Sequence, residues 1–324
     1  MKYFYSSFIV TLIGLGIAYQ IGGFLAVYIC FLLGILEVSL SFDNAVVNAK
    51  VLSKMSKIWQ DRFILYGIPI AVFGMRFLFP VLIVSVATSL GMWETFLLAL
   101  NDPDAYHTAL AANKNQIYIF GGAFLLMVFL SFFFEEKDIK WIKLVEDNYL
   151  IHILTKTDNM PLFIAICVGM IMAYLTQNIS YALSYFGAIL LYMALSLFDE
   201  IFSANGVKSG IMGFLYLEVL DASFSFDGVI GAFAMSENIF IIMIGLGIGA
   251  MFVRSLTLFM VHKKTLESFI YLEHGAHYAI LALAIIMFIN IFHEISEAVT
   301  GTIGFGFILV AFLSSIYQKR KSQK

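Results

Sequence analysis

Long runs of apolar residues, separated by short polar segments, fill most of this chain. Each run is near the roughly 20 residues that a helix needs to cross about 30 Å of hydrocarbon, and none alternates as a membrane β-barrel strand does. The pattern predicts an all-α, polytopic membrane protein with about ten transmembrane helices. They are expected near residues 4–20, 24–50, 62–89, 117–134, 160–178, 182–198, 209–235, 238–262, 272–292 and 300–318.

The composition agrees with this pattern. Hydrophobic residues make up 61% of the 324 residues and charged residues only 13%, too little polar surface for a water-soluble protein. With a net charge of −3 and no broad basic patch, nucleic-acid binding is not expected. Cys30 and Cys167 lie in apolar runs, where we expect small buried hydrophobic residues rather than a disulfide.

The basic residues set the predicted orientation. With the N-terminus in the cytoplasm, sixteen of the 19 Lys and Arg residues fall in segments on the inner side, and Lys114 falls outside. Because Lys and Arg concentrate in cytoplasmic loops, we predict a multi-pass protein of a bacterial inner membrane with both termini in the cytoplasm. The whole chain, residues 1–324, is expected to form a single membrane domain.

A short motif occurs twice. Residues 37–44 read EVSLSFDN and residues 221–228 read DASFSFDG, which share the pattern acid-x-Ser-x-Ser-Phe-Asp. An odd number of predicted crossings separates the two copies, so the two motif helices are expected to run antiparallel. This arrangement is the mark of an inverted-topology repeat, which places a transporter's substrate site near the midplane. We predict repeats of three-helix units over 24–134 and 209–292, with a cytoplasmic linker over 135–159.

Several carboxylates lie inside predicted spans, where an ionised group costs at least a few kcal/mol unless it meets an ion or a partner. The predicted metal ligands are these acids and one amide: Glu37, Asp43, Asn44, Glu218, Asp221 and Asp227. The donors are all oxygen, which suits Mg²⁺, Ca²⁺ or Mn²⁺. On a straight helix the two acids of each motif would lie about 120° apart. A shared site therefore requires helix breaks near residues 39–41 and 223–225, with Asn44 and Gly228 tolerating non-helical backbone.

Charge counting suggests how such a site would work. Five carboxylates exceed what one divalent ion neutralises, so some are expected to hold protons until the metal binds. Proton release on metal binding is the core of a proton–metal exchanger. Arg76 and Arg254 are predicted to compensate these charges or to gate the site. A purely structural role stays open for each acid, most of all for Glu218, which has no counterpart in the first motif.

Both motifs resemble those of the TerC family of integral membrane proteins, within the LysE-type transporter superfamily. The first family motif, Glu-x-x-Leu-Ser-x-Asp-Asn, is matched by Glu37, Leu40, Ser41, Asp43 and Asn44. The second, Glu-x-x-Asp-x-x-x-x-x-Asp-Ser, is matched by Glu218, Asp221 and Asp227, with Gly228 where the family usually has Ser. The resemblance covers roughly residues 24–290 and looks like that of a divergent branch of unknown function. It implies a helical inverted-repeat fold and metal-ion handling, most often manganese export.

These expectations combine into a secondary transporter that exports a divalent ion, Mn²⁺ being favoured, in exchange for protons. No enzymatic activity and no cofactor are expected: the metal is the substrate, and the partners are lipid, the ion and protons, with homo-oligomerisation left open. Two other classes stay open, a metal-dependent intramembrane enzyme and a non-transporting subunit that recruits partner proteins. Because the chain has no Gly-x-x-x-x-Gly-Lys motif, gradients are expected to drive any transport.

Three weaker signals lie outside the motifs: His274 with His277, His293 with Glu294 and Glu297, and Asp199 with Glu200. The first pair shares a helix face and is expected to be an interfacial pair held by hydrogen bonds, the alternatives being an ion ligand or a pH sensor. The second group is expected to form a solvated outer rim. The third is expected at a helix end, with an inner vestibule as the alternative.

Overall fold

The structure, a computed structural model, describes the chain except for residues 1, 71–72, 75–77, 79–80, 82–84, 86–89, 138, 156, 158, 203–209, 234, 237, 296 and 323–324. A further set of side chains inside helices, including most of residues 222–231, is also left out. Of the residues singled out above, Arg76 lies outside the described residues. The same holds for the side chains of Asp199, Glu200, Asp227, Gly228 and Glu297.

Helices account for the regular structure in the described part of the chain. After a short 3₁₀ turn at Lys2–Phe4, the elements are α1 (Tyr5–Leu40), α2 (Phe42–Ser53), α3 (Lys57–Pro69), α4 (Met92–Asn101), α5 (Pro103–Phe133), α6 (Lys143–Glu146), α7 (Tyr149–Leu154), α8 (Met160–Thr176), α9 (Ile179–Phe202), α10 (Gly210–Phe233), α11 (Ile239–His262), α12 (Thr265–Ser268), α13 (Leu272–Asn290) and α14 (Glu297–Ser322).

Six stretches of these helices are long and apolar enough to cross a membrane. They lie at Tyr5–Val38, Pro103–Phe133, Ile179–Leu197, Ile239–His262, Leu272–Asn290 and Thr302–Lys321, and α8 is a shorter apolar helix. The chain is therefore an all-helical, membrane-embedded protein, as its apolar pattern predicts. The number of ten spans, the repeat and the orientation stay predictions.

The first long helix is interrupted at its middle. Gly22 and Gly23 have non-helical backbone angles, with φ of −147° and +63°, and a positive φ is open to glycine without steric cost. The interruption falls where the sequence separates the predicted spans 4–20 and 24–50. α1, and with it the apolar stretch Tyr5–Val38, thus consists of two helical segments rather than one continuous helix.

Both segments of α1 pack along α11. Gly14 in the first segment and Gly34 in the second both approach Ile248, at 3.3 Å from an added Cβ. Ala18 and Cys30 belong to one buried cluster with Ile241, nearer the start of α11. Since residues before and after the glycine pair reach the same levels of α11, the chain reverses direction at Gly22–Gly23.

The helices of the site are held close by small residues. A Cβ at Gly249 of α11 would lie 2.8 Å from the carbonyl oxygen of Gly34, and one at Gly245 would lie 2.7 Å from the Cβ of Leu33. Such close backbone approach is common between membrane helices, where small residues line the contacts. Glu37, one turn beyond Gly34, also lies against Gly249, so this contact positions the first acid of the motif.

The chain forms two compact units. The first contains residues 1–114 and 205–262, and the second contains residues 115–204 and 263–324. Both copies of the recurring motif lie in the first unit. In the second unit, α13 packs against α14, and the Tyr185 hydroxyl of α9 donates to the Ala165 carbonyl of α8 at 2.8 Å.

Candidate functional site

The first motif lies across a helix break. α1 ends at Leu40 and α2 begins at Phe42, with Ser41 between them at φ −104° and ψ 17°. The Ser41 N–H still donates to the Glu37 carbonyl at 2.9 Å, and the Ser41 carbonyl accepts from the Ala45 N–H at 3.1 Å. The predicted break in the first motif is therefore found only as a departure of one residue, Ser41, from helical angles, because the hydrogen-bond ladder continues through it.

The second motif has no such break. α10 is continuous from Gly210 to Phe233, so the break predicted at residues 223–225 is wrong. The two motifs share their serines and their Phe-Asp pair. Local sequence therefore does not decide between a broken and an unbroken helix here. Serine is tolerated inside a helix when its hydroxyl finds a local acceptor.

The break places the first acids of the site at a helix start. Asp43 lies in the first turn of α2, and its Oδ1 accepts the Asn44 backbone N–H at 2.9 Å. A carboxylate is favoured at this position because the first N–H groups of a helix have no partner within the helix and the helix dipole is positive there. The Ser41 hydroxyl donates to Glu37 Oε1 at 2.8 Å, so Glu37 is tied to the same break.

One hydrogen bond joins the two motifs. The Nδ2 of Asn44 on α2 donates to Oδ1 of Asp221 on α10 at 2.7 Å, and both side chains are buried. Further along, Leu52 near the end of α2 shares a buried cluster with Leu217 and Phe214 of α10. Residue numbers rise on one side of this contact and fall on the other, so α2 and α10 run antiparallel, the relation expected for the two motif helices.

Two buried amide oxygens on α2 have no hydrogen-bond donor among the residues that the structure describes. They are Oδ1 of Asn44 and Oδ1 of Asn48, and these side chains are 0% and 4% exposed. Because buried polar atoms are nearly always satisfied in folded proteins, two such oxygens one helical turn apart are a feature of the site. Asn48 is outside the repeated motif, but its spacing of four residues from Asn44 was a readable signal.

Glu218 and Arg254 form a buried ion pair. Arg254 Nη2 lies 3.1 Å from Oε1 and 3.3 Å from Oε2 of Glu218. Its Nη1 donates to the Phe63 carbonyl at 3.3 Å, and the guanidinium lies over the Phe63 ring at 4.5 Å. The guanidinium also occupies the space where a side chain at Gly67 would begin. Arg254 thus connects α11 to both α3 and α10, and neither Phe63 nor Gly67 carries a sequence signal for this role.

The predicted ligands are only partly brought together. The structure joins Asn44 to Asp221, pairs Glu218 with Arg254, and holds Glu37 beside Ser41, while the Asp43 side chain accepts the N–H of its own neighbour Asn44. In the described part of the chain, no group of three or more His, Cys, Asp or Glu side chains is close enough to hold a metal ion. The Asp227 side chain and Arg76 lie outside that part, so the full ligand set stays a prediction.

A second polar cluster lies in the second unit, around Glu146. Its carboxylate accepts the Trp141 N–H at 2.8 Å, the Ile142 N–H at 3.3 Å and the Tyr278 hydroxyl at 3.0 Å. His274 Nε2 lies 3.5 Å from Glu146 Oε2 and 3.0 Å from the Ile139 carbonyl. These contacts hold part of the linker 135–159 against the start of α13.

The other weak sequence signals fall into place around this cluster and at the chain's surface. His277 is buried, stacks on Phe132 with ring centroids 3.6 Å apart, and its Nδ1 lies 2.8 Å from the Glu273 carbonyl. His274 and His277 are therefore a packed, hydrogen-bonded pair, as the simplest interpretation expects. His293 and Glu294 are exposed.

The comparisons with known proteins identify a family whose description gives no function. The family DUF475, described as protein of unknown function, matches residues 42–322. The chain belongs to this family. No curated protein and no solved structure matches the chain. The match covers both motifs except for the first residues of the first one. Because the family description names no chemistry, the residues of the site are what indicates the function.

Proposed function

We propose that this DUF475 protein is a secondary transporter that exports a divalent metal ion, Mn²⁺ being the expected cargo, in exchange for protons. The observation that carries the proposal is the bond from Asn44 to Asp221, which links the two acid motifs and leaves the Asn44 amide oxygen without a donor among the described residues. Oxygen donors from carboxylates and amides are the ligands that hard divalent cations prefer.

The balance of buried charge supports cation binding. Among the described side chains of the first unit, four acids are buried, Glu37, Asp43, Glu218 and Asp221, against one basic side chain, Arg254. Ionised groups in a low-dielectric interior require compensating charge. A divalent ion would supply it when bound, and protons on the carboxylates would replace it when the ion leaves, which is the exchange that we propose.

Asn44 is suited to both stages of such an exchange. In the present geometry its Nδ2 donates to Asp221, so Asp221 acts as the acceptor of this bond. A side-chain amide offers a donor on one side and an acceptor on the other. After rotation of the side-chain amide, the Asn44 oxygen could accept a hydrogen bond from the hydroxyl of a protonated Asp221. Asn44 can thus satisfy Asp221 in either protonation state without a change in the helices.

The resemblance of both motifs to the TerC family supports a metal cargo and favours manganese. It also supports the helical inverted-repeat architecture, with both motifs contributing to one midplane site. The antiparallel packing of α2 and α10, from the Asn44–Asp221 bond to the cluster of Leu52 with Leu217 and Phe214, agrees with such an arrangement. The same resemblance, which implies export, is the ground for an outward direction of transport.

Flux measurements test the proposal. Purified protein in liposomes should transport Mn²⁺ in one direction when a pH gradient drives protons in the other. Ca²⁺, Mg²⁺ and Zn²⁺ are tested as competitors. Asp43→Asn and Asp221→Asn should abolish the flux, because each removes one of the buried carboxylates proposed to bind the ion. The matched control is Asp147→Asn, whose carboxylate lies at the surface beside Lys140 in the second unit and should leave the flux unchanged.

The opposite result would be equally clear. If folded protein moved none of these ions under a pH gradient of either sign, the transport proposal would be wrong. A membrane subunit that recruits partner proteins would then be the better interpretation. Mn²⁺ flux that ignores the pH gradient would keep transport and remove only the exchange with protons.

A further inference from the structure

We infer that Asn48, one helical turn along α2 from the Asn44–Asp221 hydrogen bond, forms with Asn44 a second oxygen subsite for the transported divalent cation. The inference rests on the proposed function, since it assigns a further ligand to the same pathway. Asn48 is outside the recurring motif, and the corresponding position after the second motif, Ala232, has no polar side chain. The subsite would therefore belong to the α2 side of the site alone.

The first step is the state of the two amide oxygens. Asn48 is 4% exposed and Asn44 is fully buried, and both Oδ1 atoms lack a hydrogen-bond donor in the described part of the chain. Burying a polar oxygen without a donor is unfavourable. A cation that binds these oxygens would remove that penalty, whereas a purely structural asparagine would have been expected to find a donor.

The second step is the orientation of Asn44. Its Nδ2 donates to Asp221 at 2.7 Å, which commits the nitrogen side of the amide to the carboxylate. The oxygen is consequently the side of the amide that is left for a further ligand. Asn44 and Asn48 are four residues apart on a helix, so their side chains lie on one face with Cβ atoms about 5–6 Å apart. That separation allows an ion to be passed from one oxygen to the other.

The third step is the register of α2 against α10. The antiparallel contacts run from Asn44 with Asp221 to Met55 with Gly213. Asn48 is thereby placed at the level of Glu218, the acid that Arg254 holds. At the level of Asn48, the charge of the Glu218 carboxylate is thus already balanced by the guanidinium of Arg254. An ion at Asn48 would meet a neutral amide oxygen on α2 and, across the contact, a carboxylate that is compensated.

The ligand type also indicates which ions the subsite would favour. Neutral amide oxygens are common ligands of Ca²⁺ and suit other hard cations that exchange their water readily. Mg²⁺ holds its waters and demands near-ideal octahedral geometry. Zn²⁺ prefers nitrogen and sulfur ligands. We therefore expect Asn48 to matter more for Mn²⁺ and Ca²⁺ than for Mg²⁺ or Zn²⁺.

The test uses the full chain in detergent, with Mn²⁺ alone as the probe and thermal unfolding and Mn²⁺ titration as readouts. Asn48→Leu keeps the size of the side chain and removes the oxygen. It should unfold at a higher temperature than the wild type without metal, because an oxygen without a donor is gone. It should also bind Mn²⁺ about 10-fold or more weakly, the usual size of effect for a residue of a metal site.

The matched control is Asn290→Leu. Asn290 is also a buried asparagine, but its Oδ1 accepts the Ile295 N–H at 2.7 Å. Its loss should lower the unfolding temperature and leave the Mn²⁺ affinity unchanged. If Asn48→Leu does not fold, Asn48→Asp serves instead: an added carboxylate oxygen should tighten Mn²⁺ binding.

Unchanged Mn²⁺ affinity in a folded Asn48 variant, with binding by the wild type intact, overturns this inference alone. Wild-type protein that neither binds nor moves any divalent ion overturns the proposed function and this inference together. Weakened binding in Asn48→Leu, with normal binding in Asn290→Leu, supports both.

Discussion

Glu146 in the second unit and the Asn44–Asp221 pair in the first show two different ways to place polar groups among apolar helices. Around Glu146 the donors are plentiful: two backbone N–H groups and the Tyr278 hydroxyl all reach one carboxylate. Along α2 the acceptors are in excess, since the oxygens of Asn44 and Asn48 meet no described donor.

The difference separates a structural cluster from a candidate binding site. A carboxylate that is fully supplied with donors has little left to offer a cation, and it holds its neighbours in place. Buried oxygens that lack donors are poorly satisfied until a cation arrives. Buried side-chain oxygens can therefore have opposite roles, and the number of described donors around the Glu146 carboxylate and around the two α2 amides is what differs.

The largest expected effect comes from removing the positively charged guanidinium of Arg254 in the first unit. Arg254→Met keeps much of the side chain's apolar length but leaves Glu218 buried without its guanidinium partner. Breaking a buried ion pair in this way costs about 3–5 kcal/mol of unfolding free energy. Denaturant unfolding of the protein in detergent measures it.

The double variant Arg254→Met with Glu218→Gln serves as the control for that experiment. Because it removes both charges, it should be more stable than Arg254→Met alone. If the two substitutions instead destabilise additively, Glu218 and Arg254 do not form an energetically coupled pair.

A smaller effect is expected at the Glu146 cluster of the second unit. Glu146→Ala leaves the Trp141 and Ile142 N–H groups without their acceptor, which should cost about 1–3 kcal/mol. Limited proteolysis should cut the segment 135–147 faster in this variant, while Mn²⁺ flux stays at the wild-type level. Glu136→Ala, an exposed residue of the same segment, should change neither. Loss of flux from folded Glu146→Ala would break the contrast, because Glu146 would then have a part in transport.

The smallest expected effect lies at the helix break. Ser41→Ala removes the hydroxyl that donates to Glu37 at 2.8 Å, for about 0.5–1.5 kcal/mol. The backbone bonds through Ser41 remain, so the break itself should persist. Ser53→Ala, which removes an exposed hydroxyl bonded to the Lys50 carbonyl, is the matched control and should stay within about 0.5 kcal/mol of the wild type. Equal losses in the two variants would mean that the bond to Glu37 has no special weight.

Sequence reasoning reached the helical, membrane-embedded class and most of the buried polar residues, because each rests on a local signal. Apolar length predicts the spans, and an acid within such a run is conspicuous. The glycine pair at Gly22–Gly23 also falls between two predicted spans. The same reasoning predicted equal helix breaks in both motifs, and only the one at Ser41 occurs.

The errors and omissions have a common physical origin. Whether a Ser-rich stretch breaks its helix is not decided by its serines, which both motifs share, and at the first motif Gly249 brings α11 against Glu37. The placement of Arg254 over Phe63 and against Gly67 is a contact between distant segments. No local pattern announces it.

The amino-acid sequence by itself determined that this protein is helical and membrane-embedded, and that its acids recur in two related motifs, since length, hydropathy and repetition are properties of the chain. Only the tertiary structure decided which side chains those acids contact. Asn44 reaches Asp221, Glu218 takes Arg254, and two oxygens on α2 find no described donor. Hydrogen bonds and ion pairs depend on distances of about 3 Å, and those distances are set by how helices far apart in the sequence pack together.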